Sequence, residues 1–260
     1  MKVARYSFEG RHGVGIVSGS SIVPAGTNAL APVPEGDPIA LSALELLPPV
    51  GRDAKIVCVG LNYADHAVEG GVDLPEEPLI FAKLPSSLIG PGRPIDLPTL
   101  SDEVDFEAEL GVVIGRQARR VSVSEARDYM FGFTCVNDVS ARNLQLRDQQ
   151  WTRAKSLDTF CPVGPWIVTS DEIRDPQALG IRCLLNGEMM QDSSTSSMIF
   201  GVDELVSFIS QGITLEPGDL IATGTPAGVG FLRNPPRYLS RGDEVRVEID
   251  GIGSLENSVV

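Results

Sequence analysis

Residues 105–115 read DFEAELGVVIG, in which two glutamates lead directly into the apolar run Val112–Ile114. The apolar run predicts a buried β-strand. In a strand, residues two apart share a face and lie about 7 Å apart, so Glu107 and Glu109 are expected side by side. Two carboxylates entering a buried strand are unfavourable unless a positive charge lies between them. The alternative is the outer face of an edge strand, where both carboxylates would simply face water.

A second apolar run, Phe131–Val136, ends in Asn137 and Asp138 just before a predicted helix. An aspartate at such a junction is often only a helix cap. Counted with Glu107 and Glu109, however, it makes three carboxylates beside two buried strands, with no soft ligands near them. Such oxygen donors suit a hard divalent cation, Mg²⁺, Mn²⁺ or Ca²⁺, whereas zinc prefers His or Cys. The two segments together favour a metal site.

The segment NYADHAVE (residues 62–69) is predicted to be helical and carries a candidate general base. On a helix His66 and Glu69 are neighbours, and a carboxylate beside an imidazole orients it and raises its basicity. The same spacing also occurs in simple surface pairs. Residues 70–78 are rich in glycine, proline and acid, which is typical of a lid over a site.

Cationic and hydroxyl side chains follow the predicted metal ligands. Arg142 and Gln145 lie one turn apart on the helix after the second strand, and Lys155 comes soon after them. Cations beside a carboxylate cluster either bind an anionic substrate or form ion pairs. Thr223 and Thr225, in the late glycine-rich loop, offer hydroxyl and backbone donors to the same site.

The chain of 260 residues carries 21 Lys and Arg against 35 Asp and Glu, a formal charge of −14. That charge repels a phosphate backbone, so we expect no nucleic-acid partner. No run of about 18 apolar residues is present and the first residues are too polar for a signal peptide, so we expect no membrane association and a cytoplasmic protein. The four cysteines are widely spaced in apolar contexts, which predicts reduced core residues.

Short predicted strands outnumber helices, which indicates an α+β, predominantly β fold. We predict a small N-terminal domain over residues 1–52 and a catalytic domain over residues 53–260. The first is expected to hold a hairpin (Val3–Phe8 and Gly13–Val17), a loop (Gly26–Asp37) and a helix (Ile39–Leu47). The predicted strands of the second are Lys55–Val59, Leu79–Lys83, Phe106–Ile114, Phe131–Val136, Gly164–Val168, Ile181–Leu185, Asp219–Ala222 and Glu244–Ile249. Its predicted helices are Asn62–Glu69, Ser124–Tyr129, Val139–Gln150 and Val202–Gln211, and Ser193–Ser197 is expected to be a polar loop.

Several common architectures and motifs are absent. The strands do not alternate with helices one for one, as a TIM barrel or a Rossmann sheet would require. The glycine-rich segment 224–230 is followed by FLRNPP, which cannot open a helix for a dinucleotide phosphate. No Walker loop, HExxH or GxSxG motif is present.

Six stretches stand in a fixed order from residue 62 onward. They are NYADHAVE (62–69), EAELGVVIG (107–115), NDVSARNLQ (137–145), RAKSLDTFCPVGPW (153–166), STSSMIF (194–200) and LEPGDLIATGTPAGVG (215–230). Together they resemble the fumarylacetoacetate hydrolase family. One departure is Asn143, where many members of that family place an acid.

The resemblance implies a mixed β-sandwich roll with a small N-terminal domain, usually as a homodimer. It implies a Mg²⁺-type ion, with Mn²⁺ or Ca²⁺ as alternatives, held by Glu107, Glu109 and Asp138. The remaining matched positions imply substrate-binding roles for Arg142, Gln145 and Thr225, and catalytic roles for His66, Glu69 and Lys155.

The family's substrates are small anionic 2-oxo acids. We therefore expect hydrolysis of a C–C bond in an acylpyruvate through a metal-stabilised enolate, with His66 and Glu69 activating water. Decarboxylation of oxaloacetate would form the same enolate, and isomerisation of 2-hydroxyhepta-2,4-diene-1,7-dioate would need only proton transfers in the same site. Both reactions stay open. A non-catalytic metal-binding regulatory protein is a remoter alternative, because such a protein has no need of these catalytic side chains together.

Overall fold

The computed structural model describes residues 1–260 as eighteen strands and four α-helices. The strands are β1 (Lys2–Phe8), β2 (Arg11–Ser18), β3 (Ser21–Pro24), β4 (Ile39–Ala40), β5 (Glu45–Leu47), β6 (Ile56–Gly60), β7 (Leu79–Lys83), β8 (Leu88–Ile89), β9 (Val104–Asp105), β10 (Ala108–Ile114), β11 (Met130–Asn137), β12 (Ser140–Ala141), β13 (Cys161–Thr169), β14 (Gly180–Leu185), β15 (Glu188–Ser194), β16 (Leu220–Ala222), β17 (Glu244–Ile249) and β18 (Gly253–Ser258). The helices are α1 (Ala64–Gly70), α2 (Arg142–Asp148), α3 (Thr152–Lys155) and α4 (Val202–Gly212). Short 3₁₀ turns lie at Leu41–Ala43, Pro85–Ser87, Ala126–Tyr129, Thr195–Ser197 and Gly230–Leu232. The predicted α+β, predominantly β fold is confirmed.

The strands form two main sheets. Ten of them run in the order β4-β3-β2-β1-β13-β11-β10-β16-β6-β7, with β5 added beside β1 and β8 beside β13. The second sheet has the order β15-β14-β17-β18, and β12 pairs only with β9. Strands β10 and β11 therefore lie inside the large sheet, with neighbours on both edges.

The main hydrophobic core lies between β10 and β11 on one side and the four-stranded sheet on the other. Leu110 and Phe133 of the large sheet belong to the same buried cluster as Cys183 and Val247 of the small one. The opposite face of β10 is covered too, because Val113 belongs to a second buried cluster. A strand covered on both faces has no solvent side, which explains the continuous apolar run at residues 112–114.

Most predicted strands are confirmed to within a few residues, but the helix predicted at Ile39–Leu47 is wrong. The segment forms β4, a 3₁₀ turn and β5, because β4 pairs with β3 and β5 pairs with β1. These pairings outweigh the helical spacing of its apolar residues. The first strands join the large sheet through β1 and β13, with Val3 opposite Ile167. The division into two domains at residue 52 stays a prediction.

Three other boundaries differ from the prediction. The predicted loop Ser193–Ser197 begins inside β15, which pairs with β14. The helix predicted at Ser124–Tyr129 is only a 3₁₀ turn without a side-chain cap. Helix α2 starts three residues later than predicted, because Ser140–Ala141 pairs with Val104–Asp105.

Two expectations from composition can be compared with the structure. All four cysteines are free and buried, as predicted. None of the helices combines the length and apolar character needed to cross a membrane.

Candidate active site

Strand pairing brings the three predicted metal ligands together at one end of β10 and β11. The strands are antiparallel with Ala108 opposite Asn137, so the residue before β10 and the residue after β11 are neighbours. The backbone N–H of Asp138 donates to the carbonyl oxygen of Glu107 at 2.9 Å. One carboxylate oxygen from each of Glu107, Glu109 and Asp138 lies within 4.8 Å of the others. All three residues are buried, which excludes a solvated edge strand.

The carboxylate of Asp138 binds two lysines and caps no helix. The N-cap of α2 is Ala141, and it makes no side-chain capping bond. Lys155 Nζ donates to Asp138 Oδ2 at 2.8 Å. From the other side, the ammonium of Lys83 on β7 donates to Asp138 Oδ1, and its side chain is wholly buried.

Arg142 adds a third positive charge to the cluster. Its Nη2 lies 2.6 Å from Glu107 Oε1 and 2.8 Å from Asp105 Oδ2. Lys155 Nζ donates to the other oxygen of Glu107, Oε2, at 2.6 Å. Gln145, one turn along α2, accepts from Arg142 Nη1 at 3.0 Å. Both predicted cations thus form ion pairs with the carboxylate cluster.

Asp105 ties the glycine-rich segment to Arg142. Its carboxylate is fully buried and accepts from the backbone N–H groups of Gly230 at 2.8 Å and Phe231 at 3.0 Å. Any Cβ at Gly230 would overlap the carbonyl oxygen of Arg237, so this close approach requires glycine. The guanidinium of Arg142 lies 5.7 Å from the centroid of the Phe231 ring, where a cation–π contact is favourable.

The buried charges of this cluster do not balance. Four carboxylates stand against three cations, and these residues are Asp105, Glu107, Glu109 and Asp138 against Lys83, Arg142 and Lys155. Burial disfavours the charge of Glu107, but Lys155 and Arg142 outweigh it and lower the pKa of Glu107 to about 2. Burial and the charges of Asp138 and Glu107 raise the pKa of Glu109 well above its usual value. Glu109 is the carboxylate without a cation.

The donor set fits the predicted metal ion. The available ligands are carboxylate oxygens, which suit Mg²⁺, Mn²⁺ or Ca²⁺ better than zinc. The backbone N–H of Gly224 donates to Glu109 Oε2 at 2.9 Å and so fixes the orientation of that side chain. A dication would also offset the excess negative charge of the cluster. Glu107, Glu109 and Asp138 are the residues that would hold it.

His66 and Glu69 form the predicted pair on α1. His66 Nδ1 lies 3.1 Å from Glu69 Oε2, and their side chains are only 13% and 22% exposed. The backbone N–H of Gly228 donates to Glu69 Oε1 at 2.9 Å. Because a carboxylate oxygen accepts, a neutral imidazole here would place its hydrogen on Nδ1 and its lone pair on Nε2. That arrangement suits a base and differs from an exposed surface pair.

A cavity of about 40 Å³ joins these groups. Seven predicted site residues line it, namely His66, Glu107, Glu109, Arg142, Gln145, Lys155 and Thr225. Glu69 and Asp138 lie behind that lining, where they contact His66 and Lys155. Phe81 and Trp151 form an apolar wall, with ring centroids 5.4 Å apart in an edge-on arrangement.

The two remaining sequence features lie outside the lining. The hydroxyl of Thr223 donates to the carbonyl of Leu110 at 2.8 Å, so it bonds the sheet and does not face the cavity. Asn143, the departure from the family pattern, accepts from the hydroxyl of Ser101 at 2.7 Å.

Three buried polar residues of the site were not predicted from the sequence. For Lys83 the sequence does contain an indication, because a lysine at the end of an otherwise apolar strand is unusual. For Asp105 the sequence contains an indication as well, since this residue stands two positions before Glu107 in the stretch DFEAELGVVIG. For Gln191 it contains no such indication, because the surrounding segment has no apolar periodicity. Its side chain bonds Ala108, Thr225 and Pro226.

A family model, the fumarylacetoacetate (FAA) hydrolase C-terminal domain, matches residues 55–260. The chain belongs to the fumarylacetoacetate hydrolase family. A mitochondrial oxaloacetate tautomerase of Xenopus laevis, fahd2, is 47% identical over 224 residues, which cover 85% of this chain and 70% of that protein. The resemblance drawn from the six sequence stretches is thereby confirmed.

Solved structures of this family share the fold over the whole chain. The 2-hydroxyhepta-2,4-diene-1,7-dioate isomerase of Mycobacterium marinum has a TM-score of 0.88 at 41% identity, covering 100% of this chain and 98% of its own. A fumarylacetoacetate hydrolase of Exiguobacterium antarcticum has a TM-score of 0.87 at 36% identity, with coverage of 100% and 99%. These fumarylacetoacetate hydrolase family members are named for a tautomerase, an isomerase and a hydrolase. Membership alone does not choose among the three reactions.

Proposed function

We propose that this protein is an acid–base enzyme that interconverts the oxo and enol forms of a small 2-oxo dicarboxylic acid of the oxaloacetate class. One observation carries the proposal. His66, oriented by Glu69, lines the same 40 Å³ cavity as Arg142, Lys155 and the carboxylate cluster. Tautomerisation needs only these elements, because no second reactant enters and no fragment leaves.

The size of the cavity favours a short substrate. Trp151 closes one side and packs so tightly over Gly60 that a Cβ there would overlap the indole. At about 40 Å³ the cavity is small, which favours a short substrate over a long one. A four-carbon diacid suits this space better than an acylpyruvate with a bulky acyl group.

The chain's own groups can perform the proton transfer. His66 Nε2, with its free lone pair, takes a proton from the carbon beside the oxo group, which leaves an enolate, and passes that proton to the enolate oxygen to give the enol. The conversion of enol to oxo form runs the same two transfers backward. Arg142 and Lys155 attract the substrate's carboxylates and the negative charge that develops on oxygen. A cation held by Glu107, Glu109 and Asp138 would supply Lewis-acid polarisation of the oxo group.

The names of the relatives support the same chemistry. The Xenopus laevis relative is called an oxaloacetate tautomerase, and the Mycobacterium marinum neighbour is called an isomerase. Both names describe reactions in which a substrate is rearranged without losing atoms.

Hydrolysis of a C–C bond, the reaction expected from the sequence resemblance, is the second candidate. The free lone pair of His66 that favours carbon deprotonation can also take a proton from water, which would then attack an acyl carbonyl. Decarboxylation differs from both, because loss of CO₂ from oxaloacetate requires no base.

A substrate panel with Mg²⁺ distinguishes these reactions. Oxaloacetate should lose its enol absorbance without releasing CO₂, whereas acylpyruvates should yield little pyruvate. His66→Asn should abolish the acceleration, while His12→Asn, which alters the exposed histidine on β2, should leave it unchanged. Pyruvate release from an acylpyruvate at a higher kcat/KM than enol conversion would replace the proposal with hydrolysis.

A further inference from the structure

The side-chain amide of Gln191, on β15, is buried and forms hydrogen bonds with three other groups of the site. The residue is 1% exposed. Its Oε1 accepts from the backbone N–H of Ala108 at 2.9 Å. Its Nε2 donates to the carbonyl of Pro226 at 2.8 Å and to Thr225 Oγ1, also at 2.8 Å.

The orientation of this amide follows from its partners. The N–H of Ala108 can only donate, so it must face the amide oxygen. The carbonyl of Pro226 can only accept, so it must face the amide nitrogen. A flipped amide would lose both bonds and oppose like groups in a buried position, which is costly. The direction of the third bond is therefore settled as well, and Gln191 donates to Thr225.

That direction decides what the hydroxyl of Thr225 can do. A hydroxyl has one hydrogen to donate and two lone pairs to accept with. Gln191 occupies one lone pair, and the hydroxyl hydrogen has no acceptor within the protein. Thr225 is 5% exposed and lines the cavity together with Arg142 and Lys155. The hydrogen is thus available to an oxygen atom inside the cavity.

We propose that Gln191 is a positioning residue that makes Thr225 a hydrogen-bond donor to an anionic oxygen of the substrate. Ala108 lies between Glu107 and Glu109, so the same amide also links the backbone of the carboxylate cluster to the glycine-rich segment. The site thereby favours ligands that present a carboxylate or enolate oxygen to Thr225. The inference rests on the proposed function only for its ligand, an anionic 2-oxo acid.

Calorimetric titration of the Mg²⁺-loaded protein with oxalate tests the direction of the bond. Oxalate is a small dianion whose oxygens only accept. Thr225→Val should weaken oxalate binding about tenfold, because it removes one hydrogen bond to a charged group. Thr225→Ser should restore most of that loss. Gln191→Glu should weaken binding by a similar factor, because a carboxylate accepts the hydroxyl hydrogen and turns it away from the cavity.

The double variant separates positioning from a general structural effect. If Gln191 acts through Thr225, Gln191→Glu combined with Thr225→Val should bind oxalate no more weakly than Thr225→Val alone. Multiplied losses in the double variant, or unchanged binding in Gln191→Glu, would overturn the proposal. Gln117→Glu provides a charge-matched control, since Gln117 is an exposed residue that bonds Glu216 and lies outside the cavity lining.

A substitute variant and the choice of oxalate as ligand allow the test to give an answer even if a variant does not fold or the enzyme is inactive. If Gln191→Glu does not fold, Gln191→Met takes its place, because methionine donates nothing and leaves the hydroxyl free to rotate. Its loss of oxalate affinity should be smaller than that of Thr225→Val, and no loss would contradict the inference. Binding of oxalate requires no turnover, so absence of tautomerase activity would refute the proposed function while this titration still decides the role of Gln191.

Discussion

The backbone N–H of Gly228 donates to Glu69 Oε1 at 2.9 Å, and the other oxygen of that carboxylate faces His66 Nδ1. One carboxylate therefore joins α1 to the glycine-rich segment. Gly228 has a φ of +101°, and a Cβ there would overlap the carbonyl oxygen of Met190. The glycine allows a close backbone approach that orients the pair of Glu69 and His66, whereas the segment's superficial likeness to a dinucleotide loop has no structural counterpart.

Glu69→Gln should lower kcat about 100-fold with a much smaller change in KM. Glutamine can keep its oxygen toward Gly228, but its amide N–H then faces His66 Nδ1. That contact forces the imidazole to keep a lone pair on Nδ1 and its hydrogen on Nε2, which is the wrong form for a base. Steady-state kinetics and the ¹⁵N chemical shifts of the imidazole check the two effects.

Glu9→Gln is the matched control, because Glu9 is an exposed acid between β1 and β2 and lies outside the cavity lining. It should leave both the kinetics and the imidazole shifts unchanged. An unaltered kcat in Glu69→Gln would show that the pair does not carry the proton.

Glu109→Gln should separate metal binding from stability by moving them in opposite directions. Without metal, burial and the neighbouring carboxylates raise the pKa of Glu109, and a raised folded-state pKa costs stability at neutral pH. The substitution removes that cost, so the melting temperature should rise, by about 2–4 °C for each kcal/mol gained. With Mg²⁺ or Mn²⁺ added, the variant should lose most of the metal-induced stabilisation, because a carboxylate ligand is gone. Calorimetric scans with and without the ion measure both quantities.

Asp102→Asn tests whether the loss of any acid from this part of the chain has the same effect. Asp102 is exposed and lies just before residues 105–115. Loss of its charge should therefore change neither the metal-free melting temperature nor the response to metal. A metal-induced stabilisation that survives in Glu109→Gln would argue against the predicted ligand set.

The carboxylate cluster was predictable because short-range patterns place its parts. A strand followed by Asp138 and a strand preceded by Glu107 need only an antiparallel pairing to bring the two residues together, and that pairing is observed. The pair of His66 and Glu69 is also local, since one helical turn suffices to bring the two together.

Other parts of the site depend on contacts far apart along the chain. Lys83 reaches Asp138 across 55 residues, and Gln191 reaches Ala108 across 83. No local periodicity encodes such distances, because they follow from which strands become neighbours in the sheets. The helix prediction for Ile39–Leu47 is wrong for the same reason. The conformation of this segment depends on the pairing of β4 with β3 and of β5 with β1.

Trp151→Ala should shift specificity toward longer substrates. The indole forms one wall of the cavity against Gly60 and Phe81, and its removal opens space on that side. We expect kcat/KM for 2-hydroxyhepta-2,4-diene-1,7-dioate to rise about tenfold relative to that for oxaloacetate. Kinetics with both substrates give the ratio, and a parallel melting curve shows whether the fold persists. An equal fall for both substrates would mean that Trp151 supports the fold without setting the size of the cavity.

Asp243→Asn should destabilise the protein in a pH-dependent way. The carboxylate accepts from Asn186 Nδ2 at 2.8 Å, the backbone of Ser240 at 2.7 Å and Arg237 Nη2 at 2.8 Å. Burial alone would raise the pKa of Asp243, but these hydrogen bonds outweigh it and lower the pKa. An acid with a lowered folded-state pKa stabilises the fold fully above its unfolded pKa of about 3.9, and this stabilisation is lost as the pH falls through the folded-state value.

The free energy of unfolding should therefore differ between wild type and Asp243→Asn by about 1–3 kcal/mol at pH 7, because hydrogen bonds to a charged group are lost. The difference should shrink steadily below about pH 4, as protonation removes the same charge from the wild type. Urea denaturation at pH 7, 5 and 3 measures it, with Asp73→Asn as an exposed control that should show no such trend. A difference that stays constant over this range would mean that Asp243 contributes through its shape and not through its charge.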